Sequence, residues 1–353
     1  MPGIPSRSNP LRNLPASRIP NPQMSDSTTI ILGTRGSKLA LWQADATERS
    51  LATMFPNLSI AREIIKTTGD RRTDVSLAQV AKAEGIFDKG VFIKELETAL
   101  DDGSVDIAVH SLKDMPTVLD VRFQLAATLP RGPIKDVLVI AKKGQTDSSP
   151  PARDATPIAL LPASSRVGTS SVRRAKQLIH LRPDATPVDI RGNVPTRLKK
   201  LESGEDFDAI LLAEAGLVRL GFLPETPDSG GAEDIIGMPN LTAIRLPEAE
   251  FYPAAGQGAV GLEIRNGDHR ALTFCKSIRH DETWHRITAE REFLRLLDAG
   301  CHTPVGVYSS LTEGILHLRA RVYQESGNVA PKTAEVTGTE PLAVAHALHQ
   351  SLS

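Results

Sequence analysis

The alternation of strands and helices is clearest in residues 166–197, RVGTSSVRRAKQLIHLRPDATPVDIRGNVPTR. Apolar periodicity there and just beyond predicts, in chain order, the strand end Arg166–Gly168, the helix Val172–His180, the strand Val188–Ile190, the helix Val194–Glu202 and the buried strand Ala209–Ala213. This rhythm indicates a mainly parallel sheet with helices on both faces, which is an α/β fold.

The same rhythm occupies the N-terminal part of the chain. It predicts the strands Thr29–Gly33, Ile60–Thr67 and Asp106–His110, the helices Lys38–Met54 and Val91–Leu100, and then the strand Val137–Ala141. Two segments, Pro130–Pro133 and Leu246–Ala259, are expected to cross between two α/β lobes. Two lobes joined by two hinge crossings enclose a cleft, and α/β sheets bind their ligands in such clefts.

Beyond residue 277 the pattern changes to a helix, three antiparallel strands and a closing helix: Thr283–Asp298, Val305–Ser310, Ile315–Tyr323, Lys332–Gly338 and Leu342–Leu352. This order predicts a small α+β domain. A Gly-, Pro- and acid-rich segment, Pro224–Pro239, is predicted to be a surface loop inserted in the second lobe. The predicted domains are 28–130 plus 246–277, the arginine-rich lobe 131–245, and 278–353.

Residues 1–27 are rich in Pro, Ser and Asn, so we expect a disordered tail before the first lobe. Its arginines and its lack of acids before Asp26 are typical of a mitochondrial transit peptide, but its prolines disfavour the amphipathic helix that such peptides need. The chain has two cysteines and no run of 18 apolar residues, which indicates a reducing compartment and no membrane span. We therefore expect a cytoplasmic protein.

Overall charge excludes a dominant polyanionic partner. Lys+Arg total 41 against 42 Asp+Glu, so the formal net charge is −1, and aromatic residues make up 4% of the chain. Balanced charge and few aromatic side chains disfavour nucleic-acid binding. Anion binding must therefore come from a local arrangement of cations.

Such an arrangement occurs in the second lobe. Residues 166–197 contain six arginines, Arg166, Arg173, Arg174, Arg182, Arg191 and Arg197, against two acids. The hydroxyls of residues 169–171 precede one helix and Gly192 precedes the next, so backbone N–H groups and guanidinium groups converge on two strand-to-helix junctions. One such arginine would be read as part of a solvated basic face. Two junctions indicate a ligand with several carboxylates or phosphates.

The first lobe carries two further polar junctions. Residues 33–38, GTRGSK, join a strand to a helix, but neither the P-loop nor the G-x-G-x-x-G pattern is present. Residues 110–116, HSLKDMP, end a buried strand with His110, Ser111, Lys113 and Asp114. Lys113 and Asp114 are either a surface ion pair of little energetic weight or, in a cleft, a carboxylate that stabilises a cation or transfers protons.

Gly300-Cys301-His302 places a cysteine in a loop of the third domain. A lone cysteine is more often a buried small side chain, but a loop beside glycine and histidine favours an accessible thiol. Cys275 lies in an apolar helical pattern and is expected to pack in the core. No Cys/His spacing provides three or four ligands, so no metal is expected.

These motifs together resemble the porphobilinogen deaminase family in order and spacing. The matching segments are TRGSKLALWQ (34–43), KELE (94–97), HSLKDMP (110–116), VGTSSVRR (167–174), RGNV (191–194), AGLVR (215–219), GQGAVG (256–261) and GC (300–301). The resemblance runs from about residue 29 to the C-terminus. It implies two periplasmic-binding-protein-like lobes around a cleft and a smaller domain that bears a cofactor cysteine.

The resemblance also implies the reaction. Four porphobilinogen molecules are joined head to tail, each losing ammonia, and water releases hydroxymethylbilane. The growing chain hangs from a dipyrromethane cofactor, bound through a thioether to the cysteine that matches Cys301. Each ring adds two carboxylates, which accounts for the concentration of arginine.

Residue by residue, the resemblance implies Asp114 and Lys113 as catalytic. It implies cofactor contacts from Cys301, Lys113, Asp114, Ser111, Thr169, Ser171, Arg173, Arg174, Arg191 and Gly192. It implies substrate contacts from Arg35, Ser37, Arg173, Arg197, Arg219, Gln257, Ser170 and Phe92. The protein is expected to act as a monomer on porphobilinogen, without nucleic acid or membrane.

Two departures from the family pattern stand out. Residues 79–90 are longer than the usual loop before the KELE helix and could form a lid over the cleft. Glu214, in place of a small or apolar residue, puts an acid near Arg219. A binding module of the periplasmic type is the main alternative to an enzyme, but it would not need a third domain with an exposed cysteine.

Overall fold

The computed structural model describes residues 29–71, 93–142, 156–204, 206–226, 231–298, 303–324, 327 and 329–352. The predicted tail 1–27, the loop 79–90, Phe92 and Cys301 lie outside the described residues.

The first lobe is built on a five-stranded sheet in the order β2-β1-β3-β11-β4. Its strands are β1 Thr29–Arg35, β2 Ser59–Ile65, β3 Ile107–Ser111, β4 Phe123–Thr128 and β11 Val260–Arg265. The β1 strand is parallel to β2 and β3, and β11 is antiparallel to β3 and β4. Four strands thus run in one direction, and the exception is the strand that returns from the second lobe.

Helices cover both faces of this sheet. They are α1 Lys38–Met54, α2 Thr68–Arg71, α3 Lys94–Asp101 and α7 His269–Ser277. Leu51 of α1 and Phe274 of α7 pack with Leu262 on one face, while Leu96 and Leu100 of α3 pack on the other. Cys275 is fully buried in the first of these clusters, as predicted.

The second lobe contains a six-stranded sheet in the order β7-β6-β8-β5-β10-β9. Its strands are β5 Asp136–Ala141, β6 Arg166–Gly168, β7 Thr186–Val188, β8 Ala209–Ala213, β9 Ala232–Ile235 and β10 Met238–Arg245. Parallel pairing joins β6 to β7 and β8, and the other three pairs are antiparallel. The helices are α4 Val172–Leu181, α5 Val194–Ser203 and α6 Glu214–Arg219.

A three-stranded antiparallel sheet forms the C-terminal unit, in the order β12-β13-β14. Its elements are β12 Val305–Thr312, β13 Ile315–Val322, β14 Lys332–Gly338, α8 Asp281–Leu296 and α9 Pro341–Leu352. Both helices pack on the sheet through Phe293, Leu318 and Leu348. The predicted α/β fold with two lobes and a small α+β unit is confirmed, and the domain boundaries stay a prediction.

Both chain crossings meet at the hinge. Gly132 N donates a hydrogen bond of 3.0 Å to Gly258 O. Gly258 has φ +81°, and a Cβ there would lie 2.6 Å from Gly132 O. Only glycine permits both the left-handed backbone and this close approach. The hinge therefore consists of two crossings in direct backbone contact.

The prediction of a loop over 224–239 was wrong for its second half. Residues 232–235 and 238–245 pair as the antiparallel strands β9 and β10 at the edge of the second sheet. Glu233 is buried there as an ion-pair partner of Arg245. The acid-rich composition suggested a surface loop, because the sequence alone does not show that Glu233 has an ion-pair partner on the neighbouring strand. The strand predicted over Val188–Ile190 ends at Val188, so Ile190 lies in the turn that follows.

Candidate active site

In the first lobe, two polar turns follow the carboxyl ends of neighbouring parallel strands. Arg35 ends β1, and Ser37 caps α1 by accepting a hydrogen bond from Ala40 N. Ser111 ends β3 and leads into a 3₁₀ turn, Leu112–Asp114. Because β1 and β3 are parallel neighbours, these residues share one edge of the sheet.

The position of the Ser111 hydroxyl is fixed by a hydrogen bond from helix α1. Gln43, which is buried on α1, donates from Nε2 to Ser111 Oγ over 2.8 Å. The apolar residues Leu112 and Met115 are 1% and 2% exposed, so the turn is seated in the core while Lys113 and Asp114 stay partly accessible. The sequence HSLKDMP thus alternates core anchors with polar groups at the edge.

The second lobe presents two junctions at the corresponding edge of its sheet. Thr169, Ser170 and Ser171 follow β6, and Ser171 caps α4 by accepting a hydrogen bond from Arg174 N. Ser170 Oγ donates to Ile190 O over 2.6 Å, which ties the first junction to the second. Thr169 N donates to Val188 O over 2.8 Å and reinforces this tie.

Gly192 makes the second junction possible. Its φ is +112°, and a Cβ there would lie 2.7 Å from Thr196 Cγ2. Its carbonyl oxygen accepts a hydrogen bond of 2.7 Å from Arg197 Nε. Asn193 caps α5 through its side chain. The glycine therefore lets Arg197 fold back over the turn.

Arg173 and Arg174 converge on Asp136, the first residue of β5. Arg173 Nη1 lies 2.7 Å from Asp136 Oδ2, and Arg174 Nη2 lies 2.7 Å from Oδ1. All three side chains are buried. Burial raises the pKa of Asp136, but the two guanidinium groups outweigh it and hold that pKa at about 2. The carboxylate is therefore ionised throughout the neutral range.

Arg173 and Arg174 were predicted to bind ligand carboxylates, and the structure shows that both already bind a carboxylate of the protein, that of Asp136. Arg173 Nη1 also donates to Tyr252 O, and Arg174 Nη1 donates to Leu211 O over 3.0 Å. Sequence analysis missed Asp136. The signal available was an acid at the start of the apolar strand DVLVIA, since a charged residue in a buried strand needs a partner.

Lys113 brings the turn of the first lobe against the second lobe. Burial lowers the pKa of Lys113 to about 8; Asp114 and Asp136 oppose this decrease, whereas Arg174 and Arg173 add to it. These electrostatic neighbours come from both lobes. The predicted catalytic turn and the first arginine junction thus lie in one cleft.

Arg197 belongs to the same cluster. Burial lowers its pKa to about 10, and the positive charges of Arg174 and Arg191 add to this, while Asp189 and Asp114 oppose it. We define the cleft cluster as Lys113, Asp114, Asp136, Arg173, Arg174, Arg191 and Arg197. It holds five cations against two acids, or three acids with the neighbouring Asp189, and that excess of cations favours a bound anion.

Two arginines of the 166–197 stretch lie elsewhere. Arg182 pairs with Asp184 over 2.7 Å and donates to Leu161 O. Arg166 is half-exposed, with Asp206 at 4.0 Å. Neither is an electrostatic neighbour of Lys113 or Arg197. Sequence proximity alone had grouped six arginines of which four converge.

Arg219 and Gln257 lie at the hinge. Arg219 Nη2 donates to Gly258 O over 2.6 Å, and its guanidinium lies 4.8 Å from the centroid of the Trp42 ring. It lines a cavity of about 540 Å³ together with Arg49 and Arg279. Gln257 is fully buried and donates from Nε2 to Ile134 O over 2.7 Å. Gln257 Nε2 also donates to Asp136 Oδ1 over 3.2 Å, so Gln257 borders the cleft cluster, whereas Arg219 bonds to the hinge backbone.

The expectation that Glu214 acts on Arg219 is corrected by a nearer partner. Glu214 Oε1 accepts a hydrogen bond of 2.6 Å from Arg245 Nε, and both side chains are buried. Burial alone lowers the pKa of Arg219, with no contribution from Glu214. Glu214 thus pairs with Arg245 of β10. The sequence did not predict this pair because 31 residues separate its two members.

Within the described residues, no helix has the length and apolar character of a membrane span. Across the same ranges, no three side chains of the His, Cys, Asp and Glu types are grouped so as to hold a metal ion.

Comparison with known proteins identifies the family. Residues 30–273 match the model "Porphobilinogen deaminase, dipyromethane cofactor binding domain", and residues 284–353 match "Porphobilinogen deaminase, C-terminal domain". The chain belongs to the porphobilinogen deaminase family.

Curated relatives agree. Porphobilinogen deaminase of Syntrophotalea carbinolica is 41% identical over 85% of this chain and 84% of its own length. That of Moorella thermoacetica is 41% identical over 84% of each chain, and that of Chlorobium luteolum is 39% identical over 88% of each. Among solved structures, a variant of the OxyR2 regulatory domain from Vibrio vulnificus covers 72% of this chain with a TM-score of 0.41 and 15% identity.

Proposed function

We propose that this chain is a transferase that condenses four porphobilinogen molecules head to tail in tetrapyrrole biosynthesis. Each condensation forms one carbon–carbon bond between pyrroles and releases one ammonia, and water then releases hydroxymethylbilane. The family models and the named relatives support this activity over both parts of the chain. The observation that carries it is the cleft cluster, whose excess of cations suits a product that gains two carboxylates with each ring.

The residues present fit a dipyrromethane cofactor. Its four carboxylates need cations, and the partly compensated group of Lys113, Arg174, Arg191 and Arg197 provides them. When bound, the cofactor supplies the pyrrole carbon to which the first substrate ring is joined. We infer that its holders are Cys301, Lys113, Asp114, Ser111, Thr169, Ser171, Arg173, Arg174, Arg191 and Gly192, with a thioether to Cys301.

Asp114 is the proposed catalytic carboxylate. It lies on the 3₁₀ turn among Lys113, Arg174 and Arg197, and is an electrostatic neighbour of all three. A fixed negative charge beside the pyrrole nitrogens stabilises the positive charge that develops on the substrate as ammonia departs. Lys113 binds a carboxylate of the ligand next to Asp114.

The proposed substrate holders divide between the two lobes. Arg35 and Ser37 lie at the end of β1, and Arg197 with Ser170 lies at the second-lobe junctions. Arg219, Gln257 and Phe92 complete the set that family similarity suggests. Arg219 would act from the hinge, and Gln257 would act beside Asp136, to which it donates a hydrogen bond.

The test compares Asp114→Asn with Cys301→Ser. We expect Asp114→Asn to lose about 10²–10⁴-fold in kcat, the range of a missing acid–base or electrostatic group, while the intact mass still shows the dipyrromethane increment. Cys301→Ser should lack that increment and the colour with Ehrlich reagent. Cys275→Ala is the matched control, since Cys275 is buried in the core, and it should keep both cofactor and activity.

Two results would refute the proposal. An active chain of unmodified mass would exclude the covalent cofactor, and a near-normal kcat for Asp114→Asn would exclude the role of that carboxylate. The proposal includes a cytoplasmic location, because a thioether anchor requires a reduced thiol before the cofactor is attached. It also includes a monomeric enzyme. Light scattering of the purified protein tests the monomer.

A further inference from the structure

A buried set of ionisable side chains lies behind the catalytic turn, on the side away from the cleft cluster. His110, the residue before Ser111, has Nε2 at 2.9 Å from Glu263 Oε2. Their side chains are 4% and 0% exposed. The two residues come from adjacent antiparallel strands, β3 and β11. A carboxylate in the middle of a sheet costs folding free energy unless it is compensated, so its presence requires an explanation.

The contact is close, but among the described residues neither oxygen of Glu263 has a hydrogen-bond partner. Its compensation is therefore mainly electrostatic. A further electrostatic neighbour is Arg291 of α8: burial lowers the pKa of Arg291 to about 10, and Glu263 opposes that decrease. Glu263 thus contacts His110 directly and acts on Arg291 through its charge.

Arg291 reaches the other end of the catalytic turn. Its Nη2 donates to Pro116 O over 2.7 Å and to Thr117 O over 3.2 Å. The turn itself has few backbone anchors: Leu112 N donates to Ala259 O over 3.1 Å, and Met115 N closes the 3₁₀ turn on Leu112 O. Two electrostatic neighbours of Glu263 therefore flank the turn: His110 directly precedes Ser111, and Arg291 binds the carbonyl oxygens of Pro116 and Thr117.

Glu97 of α3 completes the set. Burial raises its pKa to about 7; Glu263 and Asp120 add to this increase, while His110 and Arg122 oppose it. Two carboxylates this close resist being ionised together. Glu97 is thus partly protonated near neutral pH.

We propose that Glu263 is a positioning residue for the condensation reaction: with His110 and Arg291 it holds residues 111–117 so that Asp114 and Lys113 face the second lobe. This inference rests on the function proposed above. Glu263 does not reach the cleft and acts through the turn. A shift of about 1 Å at such a distance from the chemistry can cost 10²-fold in rate.

The test combines Glu263→Gln with Asp114→Asn. In the wild-type background we expect Glu263→Gln to lower kcat about 10–100-fold with less than a twofold change in KM, and to keep the dipyrromethane mass increment. In the Asp114→Asn background the same change should have little further effect on kcat, because the group that it positions is already absent. A purely structural Glu263 would give additive losses, and that outcome would overturn the proposal.

Glu214→Gln is the matched control, since it also removes a buried carboxylate that pairs with an arginine, and that arginine, Arg245, lies on β10 and, within the described residues, makes no hydrogen bond to residues 111–117. It should lower Tm comparably and leave kcat unchanged. Hydrogen exchange adds a readout that needs no activity: amides of 111–117 should exchange faster in Glu263→Gln and not in Glu214→Gln. Unchanged exchange in this segment would also overturn the proposal, whereas a failure of the proposed function would leave the exchange result intact.

Discussion

The two strand-to-helix junctions of the second lobe use the same residue types but balance their charges differently. At the first junction, Arg173 and Arg174 are bound to the buried carboxylate of Asp136. At the second, Arg197 bonds to the carbonyl oxygen of Gly192, and among the described residues it has no ion pair. One junction is neutralised in part by the protein itself, and the other keeps its positive charge for a ligand.

This difference distinguishes arginines that stabilise the fold from arginines that bind a ligand. A guanidinium held by a buried carboxylate is fixed in position, and removal of either partner leaves the other uncompensated. A guanidinium that is buried against other cations weakens folding slightly and strengthens anion binding when an anion arrives. The first junction therefore provides a rigid frame, and the second provides most of the unsatisfied attraction.

The largest expected effect comes from removing the carboxylate that distinguishes the junctions. Asp136→Asn should lower the free energy of unfolding by about 3–5 kcal/mol, because two buried arginines lose their counter-ion. Denaturant unfolding at neutral pH measures this. A loss below about 1 kcal/mol would show that the two junctions are electrostatically alike.

A smaller effect separates the arginines directly. Arg174→Gln should destabilise the fold by about 1–3 kcal/mol, since it breaks charged hydrogen bonds to Asp136 and Leu211, whereas Arg197→Gln should change stability by less than about 1 kcal/mol. Conversely, Arg197→Gln should raise the KM for porphobilinogen about 10-fold or more. Unfolding and steady-state kinetics on both variants provide the comparison.

Arg166→Gln is the control for this pair. Arg166 is half-exposed and begins β6 at the opposite end from the cleft, so neither stability nor KM should change appreciably. If Arg197→Gln lost as much stability as Arg174→Gln, the distinction between a structural and a binding junction would be wrong.

The smallest effect concerns pH. Burial lowers the pKa of Lys113 to about 8, so its charge is present below that pH and lost above it. Because the charged lysine attracts carboxylates, kcat/KM should fall on the alkaline side with an apparent pKa near 8. Lys113→Arg keeps the charge and should move this limb to higher pH. A limb that stays in place in Lys113→Arg would assign the titration to another group.

Several elements were predictable because their signals are local. Helix and strand periodicity, the two crossings and the buried Cys275 all follow from residues near one another in the chain. Residues 232–239 were mispredicted as loop because Glu233 is neutralised by Arg245 on the neighbouring strand. Glu214 was assigned to Arg219 by sequence proximity, whereas its partner is Arg245.

The amino-acid sequence by itself determined the α/β class, the order of elements, the family and the residue types of the cleft, since periodicity, glycine turns and motif spacing are properties of short stretches. Only the tertiary structure decided which charges meet. It selected four of six neighbouring arginines, supplied Asp136 from 37 residues away, and placed Glu263 behind a turn that precedes it by about 150 residues. The physical reason is that electrostatic compensation depends on distance and burial in space, which the order of residues does not encode.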